Sequence, residues 1–410
     1  MKIFKLMLVA LVATLGFTAC DNEPEHIYDD HSTDLVGTWS CLTENYAEVI
    51  IINADGSAVS YGVEDGEYWE NVRGTVTVKE NKITMIFEDD DNFTGHFDII
   101  PGQAFSLFEN SGERYVYQYC ANDLADEIVG MWVCQNSFAN TENDMLIQTF
   151  KEDGTSIMTG YISDMEDFVT NAGGSTYKVI GDLFINIIPA DAVAGGVPPY
   201  MAMRLGYAPN GTGYGDIMTF THYLTNGTKS TDTFLRVKQN LNLTGNTYNY
   251  KSAYVTNAKG KDENFTIFGN TFNIAKIKAY DFDKLFGADL FSLDLNATAI
   301  KHNFSPDGEN RGFETPITVD GNKVTLDFSA ENPACRKVDM YMFQDADDCQ
   351  LQIYMPTKSF INYFANLEVL TMHLEGKINP TDATAIAKVF ADMEARVESI
   401  NVSFVFKALK

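Results

Sequence analysis

A repeat restricts the fold of this chain more than any other feature. Leu35-Val36-Gly37-Thr38-Trp39-Ser40-Cys41 returns 93 positions later as Ile128-Val129-Gly130-Met131-Trp132-Val133-Cys134. A looser copy, Leu243-Thr244-Gly245-Asn246-Thr247-Tyr248, opens the last third. The first two copies share later landmarks in the same order. Each carries an Asp-Gly pair between apolar runs, Asp55-Gly56 and Asp153-Gly154. That pair supplies the positive φ a tight hairpin demands. Each then closes on a strand-like run with an arginine: Arg114 leads the run to Cys120, and Arg236 sits within Phe234 to Lys238. A repeat of this length is a domain, not one turn of a solenoid.

Eight strand-like runs fit the first copy, near 35–41, 47–53, 57–62, 68–78, 82–88, 93–99, 104–109 and 113–120. Alternation is clean where Val76, Val78, Ile83, Met85 and Phe87 share one face, with Thr77, Thr84 and Glu88 opposite. Short strands joined by hairpin turns predict an antiparallel meander, and closing it removes exposed edges. The second copy yields a similar count, with longer connections at 163–174, 189–199 and 206–215. In the third, strands are expected over 265–279, 290–300 and 316–328, and in a pair around Asp345. Phe360, Tyr363, Phe364 and Leu367 follow helical spacing, as do Ile386, Val389, Phe390, Met393 and Val397 after the start signal Asn379-Pro380. Val402–Leu409 reads as a last strand. The chain is therefore expected to be mainly β: tandem antiparallel meander barrels over 34–121 and 122–239, and a third barrel with added α-helices over 240–410. Each is expected to have its own separate core.

A Gly-x-Trp on the first strand with an arginine on the last resembles the lipocalin, or calycin, barrels. That resemblance implies a Trp plugging one end of the barrel with the Arg lying over it, a cation–π contact. It pairs Trp39 with Arg114 and Trp132 with Arg236 as structural plugs, not as a binding site. The third copy has Tyr248 instead of Trp, with Lys407 near its end. A late helix followed by a final strand is again calycin-like.

The N-terminus reads as a secretory signal over 1–19. Lys2 and Lys5 precede fourteen uncharged residues, Leu6 to Ala19. As a helix that run rises only about 21 Å, short of the roughly 30 Å hydrocarbon core. Phe17-Thr18-Ala19-Cys20 resembles a bacterial lipobox, with Phe where Leu is usual, and implies lipid attachment at Cys20. The acidic tether over 20–33 opens Asp21-Asn22-Glu23-Pro24-Glu25. It is similar to the export signal of Bacteroidetes-type surface lipoproteins. The resemblance implies an outer-membrane, lipid-anchored protein exposed at the cell surface.

Charge narrows the partners. There are 57 acidic and 29 basic residues, a net of −28. The stretch 34–121 alone holds sixteen acids and four bases. Such a field repels phosphate backbones, and with no concentrated basic patch nucleic acid is excluded as a partner. Beyond Cys20 five cysteines remain, an odd number. A hairpin of 338–343 with 351–355 would put Cys349 about opposite residue 344, roughly 30 Å along the strand from Cys335. Small buried apolar cysteines are therefore expected, with the state of Cys335 and Cys349 left open.

Tests for chemistry return little. His26, His31, His96, His222, His302 and His373 are scattered, with no metal-ligand spacing. The acidic turns Glu88–Asp91 and Asp345–Asp348 lack the spaced ligands and glycine of a Ca²⁺ loop and read as solvated turns. No nucleophile elbow, phosphate loop or dinucleotide fingerprint is present. The expectation is a non-catalytic surface lipoprotein without cofactor. It would bind a small apolar molecule or a glycan through a calycin-like barrel, the third favoured because its helices can frame a mouth. The alternative is a display or protein-interaction lipoprotein with filled barrels. Aromatics such as Tyr248, Tyr250, Phe265 and Tyr354 are candidates for a pocket, with core as their commoner role.

Overall fold

Each copy of the repeat opens a ring of antiparallel strands. The computed structural model describes residues 31–409, apart from 89–91, 109–111, 135–142, 163–164, 166, 171–173, 195, 197, 210–215, 224–226, 288–290, 306–311 and 331. The signal, Cys20 and most of the tether lie outside the described residues, as does most of the acidic turn Glu88–Asp91.

In barrel 1, strands β1 (Gly37–Leu42) through β8 (Arg114–Tyr119) neighbour one another in sequence order. β1 pairs with β2 (Tyr46–Ile52) on one side and with β8 on the other, so no edge is left. Period-2 alternation sends Ile50, Ile52, Val76, Ile83 and Met85 inward.

Barrel 2 is built from β9 (Gly130–Cys134), β10 (Asn143–Phe150), β11 (Thr155–Ile162), β12 (Asp167–Thr170), β13 (Ser175–Ile180), β14 (Leu183–Ile187), β15 (Tyr200–Ala208), β16 (Ile217–Tyr223) and β17 (Lys229–Val237). The order β10-β9-β17-β16-β15-β14-β13-β11-β12 closes because β10 also pairs with β11, leaving β12 attached beside the ring. A short helix, α1 (Ala190–Ala194), lies in the β14–β15 connection.

Barrel 3 closes from β18 (Thr247–Gly260) through β21 (Phe291–Leu295), β22 (Ala299–Phe304), β23 (Phe313–Asp320), β24 (Lys323–Asp327), β25 (Lys337–Gln344) and β26 (Gln350–Met355) to β27 (Val397–Ala408). The run 265–279 is not the single strand its composition suggests. Phe268 (φ 45°) and Gly269 (φ 78°) take left-handed conformations and fold it into a hairpin, β19 (Asn264–Ile267) and β20 (Asn270–Asn273). Helix α2 (Ala279–Phe286) follows, and its short Asp-Lys-Leu-Phe run gave little periodicity to read. Helices α3 (Thr357–Leu374) and α4 (Ala383–Arg396) precede β27.

The repeat is carried in hydrogen bonds as well as sequence. Trp39 Nε1 donates to Leu35 O and Trp132 Nε1 to Ile128 O, both at 2.7 Å, and both rings are fully buried. Asp55 Oδ1 accepts from Ser57 N and Oγ, and Asp153 Oδ1 accepts from Thr155 N and Oγ1. Barrel 3 repeats that turn with Asn296, whose Oδ1 accepts from Thr298 N and Oγ1. The third copy of the turn is hidden in sequence because an Asn-Ala-Thr replaces Asp-Gly-Ser/Thr.

Each barrel has its own core, and two further apolar clusters join the barrels across their outer walls. Leu42, Val49 and Val63 on the outside of barrel 1 pack on Leu183 and Ile185 of barrel 2. Val133, Tyr161 and Leu235 on the outside of barrel 2 pack on Tyr341, Phe343 and Tyr354 of barrel 3. A bridge from Val237 to Asp345 and a hydrogen bond from Lys238 N to Gln344 O (2.8 Å) fix the second junction. Strands at the junctions therefore read as near-continuous apolar runs, as Ala47–Ile52 does, because both their faces are covered.

Candidate functional site

Aromatic rings crowd the interiors of barrels 2 and 3. In barrel 2, Phe150, Phe184, Phe220 and Phe234 stack and cross edge to face at 5.2–5.9 Å. In barrel 3, α2 and α3 contribute Phe286 and Tyr363 to the same cavity wall as the strand residues Phe291, Phe404 and Phe406. What remains there is a cavity of ≈ 20 Å³, about one water molecule. The described cavity in the lumen expected to hold a small apolar molecule or a glycan is too small for one, because the helices that were to frame a mouth supply aromatic rings to its wall. Tyr248, Tyr250 and Phe265 are buried in the core of barrel 3, and Tyr354 in its junction with barrel 2.

His302 lies in that cavity wall, 2% exposed, with rings of Phe313 at 4.5 Å and of Phe291 and Tyr363 at 6.1 Å. Its Nδ1 has no hydrogen-bond partner among the described residues. Burial among apolar groups pushes its pKa down to about 3.

The open space of barrel 3 is on its outside. A groove of ≈ 730 Å³ lies between β23, the turn Phe328–Ala330, the C-terminal half of α3 and the start of α4. Phe313, Phe328, Val369 and Leu370 form an apolar floor, and Glu314, Asp327, His373 and Thr381 a polar rim. Short polar side chains set its walls. Asp327 Oδ1 accepts from Ser329 N (3.1 Å) and Oγ (2.5 Å), which turns the chain after β24. Lys337, 2.8 Å away, together with Ser329, holds the Asp327 carboxyl below the usual range. Asn332 donates to Pro380 O at 2.8 Å, tying the loop after that turn to the start of α4. Asn366 clamps Arg336 by both its N–H (3.3 Å) and its carbonyl (2.9 Å). Asp382 caps α4, accepting from Thr384 N and Ala385 N. Cys335 lines the groove half-buried, and burial pushes its thiol pKa up.

The residues singled out from sequence fall elsewhere. Arg236 stands 4.7 Å over the Trp132 ring, directly opposite it in the β9–β17 register. Its guanidinium also reaches Asp216 at 3.2 Å and Val129 O at 3.3 Å. Trp39 and Arg114 do not pair. The residue opposite Trp39 is Tyr119, whose ring meets the indole edge at 5.1 Å, while Arg114 is exposed, 5.3 Å over Phe108 and bonded to Ser106. The arginine of β8 sits five residues before the plug's partner position, so the match in sequence order was not a match in register. In barrel 3, buried Tyr248 donates to Asp348 O at 3.2 Å.

The Asp345–Asp348 turn is occupied by protein groups: Asp345 Oδ1 accepts from Cys349 N and Gln350 N, and Lys238 Nζ lies 2.8 Å from Asp348 Oδ1. Among the described residues no group of three or more His, Cys, Asp or Glu side chains could hold a metal, and no disulfide joins the five described cysteines. Barrel 1 buries an acid that sequence reading passed over. Glu48 accepts from Tyr46 (2.5 Å), Ser60 (2.6 Å) and Tyr117. Burial first, and the Glu48 charge next, hold both tyrosine hydroxyls protonated.

No protein-family model matches this chain, and no curated protein matches it. Solved structures of transferrin-binding protein B are similar to it at low level. A double mutant of the Haemophilus parasuis protein is 11% identical, covers 90% of this chain and 67% of its own, and has a TM-score of 0.24. The isotype 1 protein of serogroup B Neisseria meningitidis is 8% identical, covers 89% and 66%, and has a TM-score of 0.21.

Proposed function

We propose that this chain is a lipid-anchored surface protein that binds a small apolar molecule with a polar edge in the outer groove of its third barrel, without catalysis. The observation that carries the reading is the contrast within barrel 3: ≈ 730 Å³ outside and ≈ 20 Å³ inside. The groove falls in the size range of small-molecule sites and has their character, an apolar floor with a few polar groups at the rim. Glu314 and Asp327 at that rim favour a neutral or cationic edge on the ligand over an anionic one. The signal over 1–19, Cys20 and the acidic tether support anchoring and display at the outer face of an outer membrane.

A thermal-shift screen of the full chain against sterols, fatty acids, bile salts and oligosaccharides tests the groove. A ligand at a hundred times its dissociation constant adds about 2.7 kcal/mol of stability. Neutral apolar ligands should raise the melting temperature of the parent and not of Leu370→Asp, which puts a charge on the groove floor. No shift across the panel, or equal shifts in both proteins, refutes the reading.

A second reading, display or a protein partner, is favoured by the apolar junctions. They join the three barrels through covered outer walls, which suits a rigid spacer. A negative screen would leave that reading standing.

A further inference from the structure

A second space, of ≈ 710 Å³, opens where the outer wall of barrel 3 meets barrel 2, and its chemistry differs from that of the groove. Asn257 and Lys259 of β18, Lys358 and Asn362 of α3, Ser399 of β27 and Tyr161 of β11 line it. Arg336, Glu394 and Glu398 stand at its rim.

A β-bulge brings β18 to this space. Thr256 lies opposite Asn401 but Lys259 lies opposite Ser399, so three steps on β18 face two on β27. Without the extra residue Ala258, not Lys259, would stand opposite Ser399. The bulge holds Asn257 at φ 52°, a left-handed conformation that asparagine tolerates better than most residues. Ser399 Oγ donates to Asn257 O at 2.7 Å and fixes it. Bulges are over-represented at the rims of barrels and next to active sites, where they re-aim a side chain.

Three cations gathered at one place stand out in a chain of net charge −28. Arg336 is committed to Glu394 and to the ring of Phe390. Lys259, an exposed ammonium, has no ion-pair partner among the described residues. Two lysines and two side-chain amides, that of Asn362 already giving one N–H to Lys337 O at 3.1 Å, suit a ligand that carries both hydroxyls and a negative charge. Glu398 adds an acceptor for hydroxyl protons and opposes a ligand charged all over, such as a polyphosphate. Tyr161 is 3% exposed, so no open aromatic face awaits a nucleobase.

We propose that this junction binds an acidic oligosaccharide, its carboxylate held by Lys259 and Lys358 and its hydroxyls by Asn257, Asn362 and Glu398. The site is distinct from the groove and does not depend on it.

Calorimetric titration of the full chain at low salt with sialyllactose, which carries a single carboxylate, beside uncharged lactose, tests this. The acidic sugar should bind at least about tenfold more tightly than the neutral one, a difference of roughly 1.4 kcal/mol. Lys259→Glu and Lys358→Glu, both at exposed positions, should each weaken it at least about tenfold with the melting temperature unchanged. Leu370→Asp should bind it like the parent, which separates failure here from failure of the groove reading. Equal binding of the two sugars, lysine variants that bind like the parent, displacement by equimolar inorganic phosphate, or no binding up to about 10 mM would each overturn the proposal.

Discussion

Acid should weaken barrel 3 through one side chain, His302. In the folded chain its imidazole titrates at about 3, against an ordinary value of 6.5, because it is buried with no charged neighbour in the cavity wall. Among the described residues the other titratable group lining that cavity is Tyr363, which burial keeps protonated. The unfolded chain therefore takes up a proton first. Stability from neutral His302 is complete above pH 6.5 and is lost as pH falls toward 3. At pH 4.5 an unfolded imidazole is protonated about a hundred to one, while the buried one stays neutral by roughly thirty to one. The difference from pH 7 is about 2.5 kcal/mol, or a factor of about 70 in the opening equilibrium. Trp39, Trp69 and Trp132 all lie in barrel 1 or barrel 2, so indole emission is blind to the event. Hydrogen exchange of the β21–β22 hairpin, corrected for intrinsic rates, reads it directly. His302→Phe keeps an aromatic ring and removes both the titration and the orphaned Nδ1, so its protection should fall far less on acidification. Carboxylate protonation acts on parent and variant alike and cancels in the comparison. Equal loss of protection in the two proteins would refute the reasoning.

The remaining predictions concern the plugs, the junction and the anchor. Trp132→Ala should cost about 3–5 kcal/mol, the range for a buried aromatic cut back to a methyl. Urea unfolding followed by far-ultraviolet circular dichroism checks it, and a curve superimposed on the parent's contradicts it. Phe343→Asp buries an unpaired charge in the junction of barrels 2 and 3. It should expose the 238–246 linker to protease and raise the radius of gyration in X-ray scattering, and an unchanged profile would show that the junction does not depend on that apolar contact. Cys20→Ser should shift the protein from the detergent phase to the aqueous phase. Unchanged partitioning would refute lipid attachment there.

Sequence alone determined the fold class, because period-2 alternation and turn chemistry are local. The strand runs of the first repeat read from residues such as Val76, Ile83 and Met85, and the Asp55 and Asp153 turns rest on side chains two residues from the groups they bind. The face of α4 carrying Ile386, Val389, Phe390 and Met393 was legible for the same reason, and those residues are buried. Register was not legible. Whether Arg114 or Tyr119 meets Trp39 depends on a pairing between strands at opposite ends of a barrel, and a shift of a few residues leaves the local pattern unchanged. Nor did hydrophobicity reveal that Leu42, Val133 and Phe343 pack outward onto another barrel, since an apolar residue looks the same on either face of a strand. The groove was out of reach for a related reason. Its floor and rim come from four separate segments, each ordinary in itself, and only closure of barrel 3 and the docking of α3 and α4 bring Phe313, Phe328 and Leu370 together.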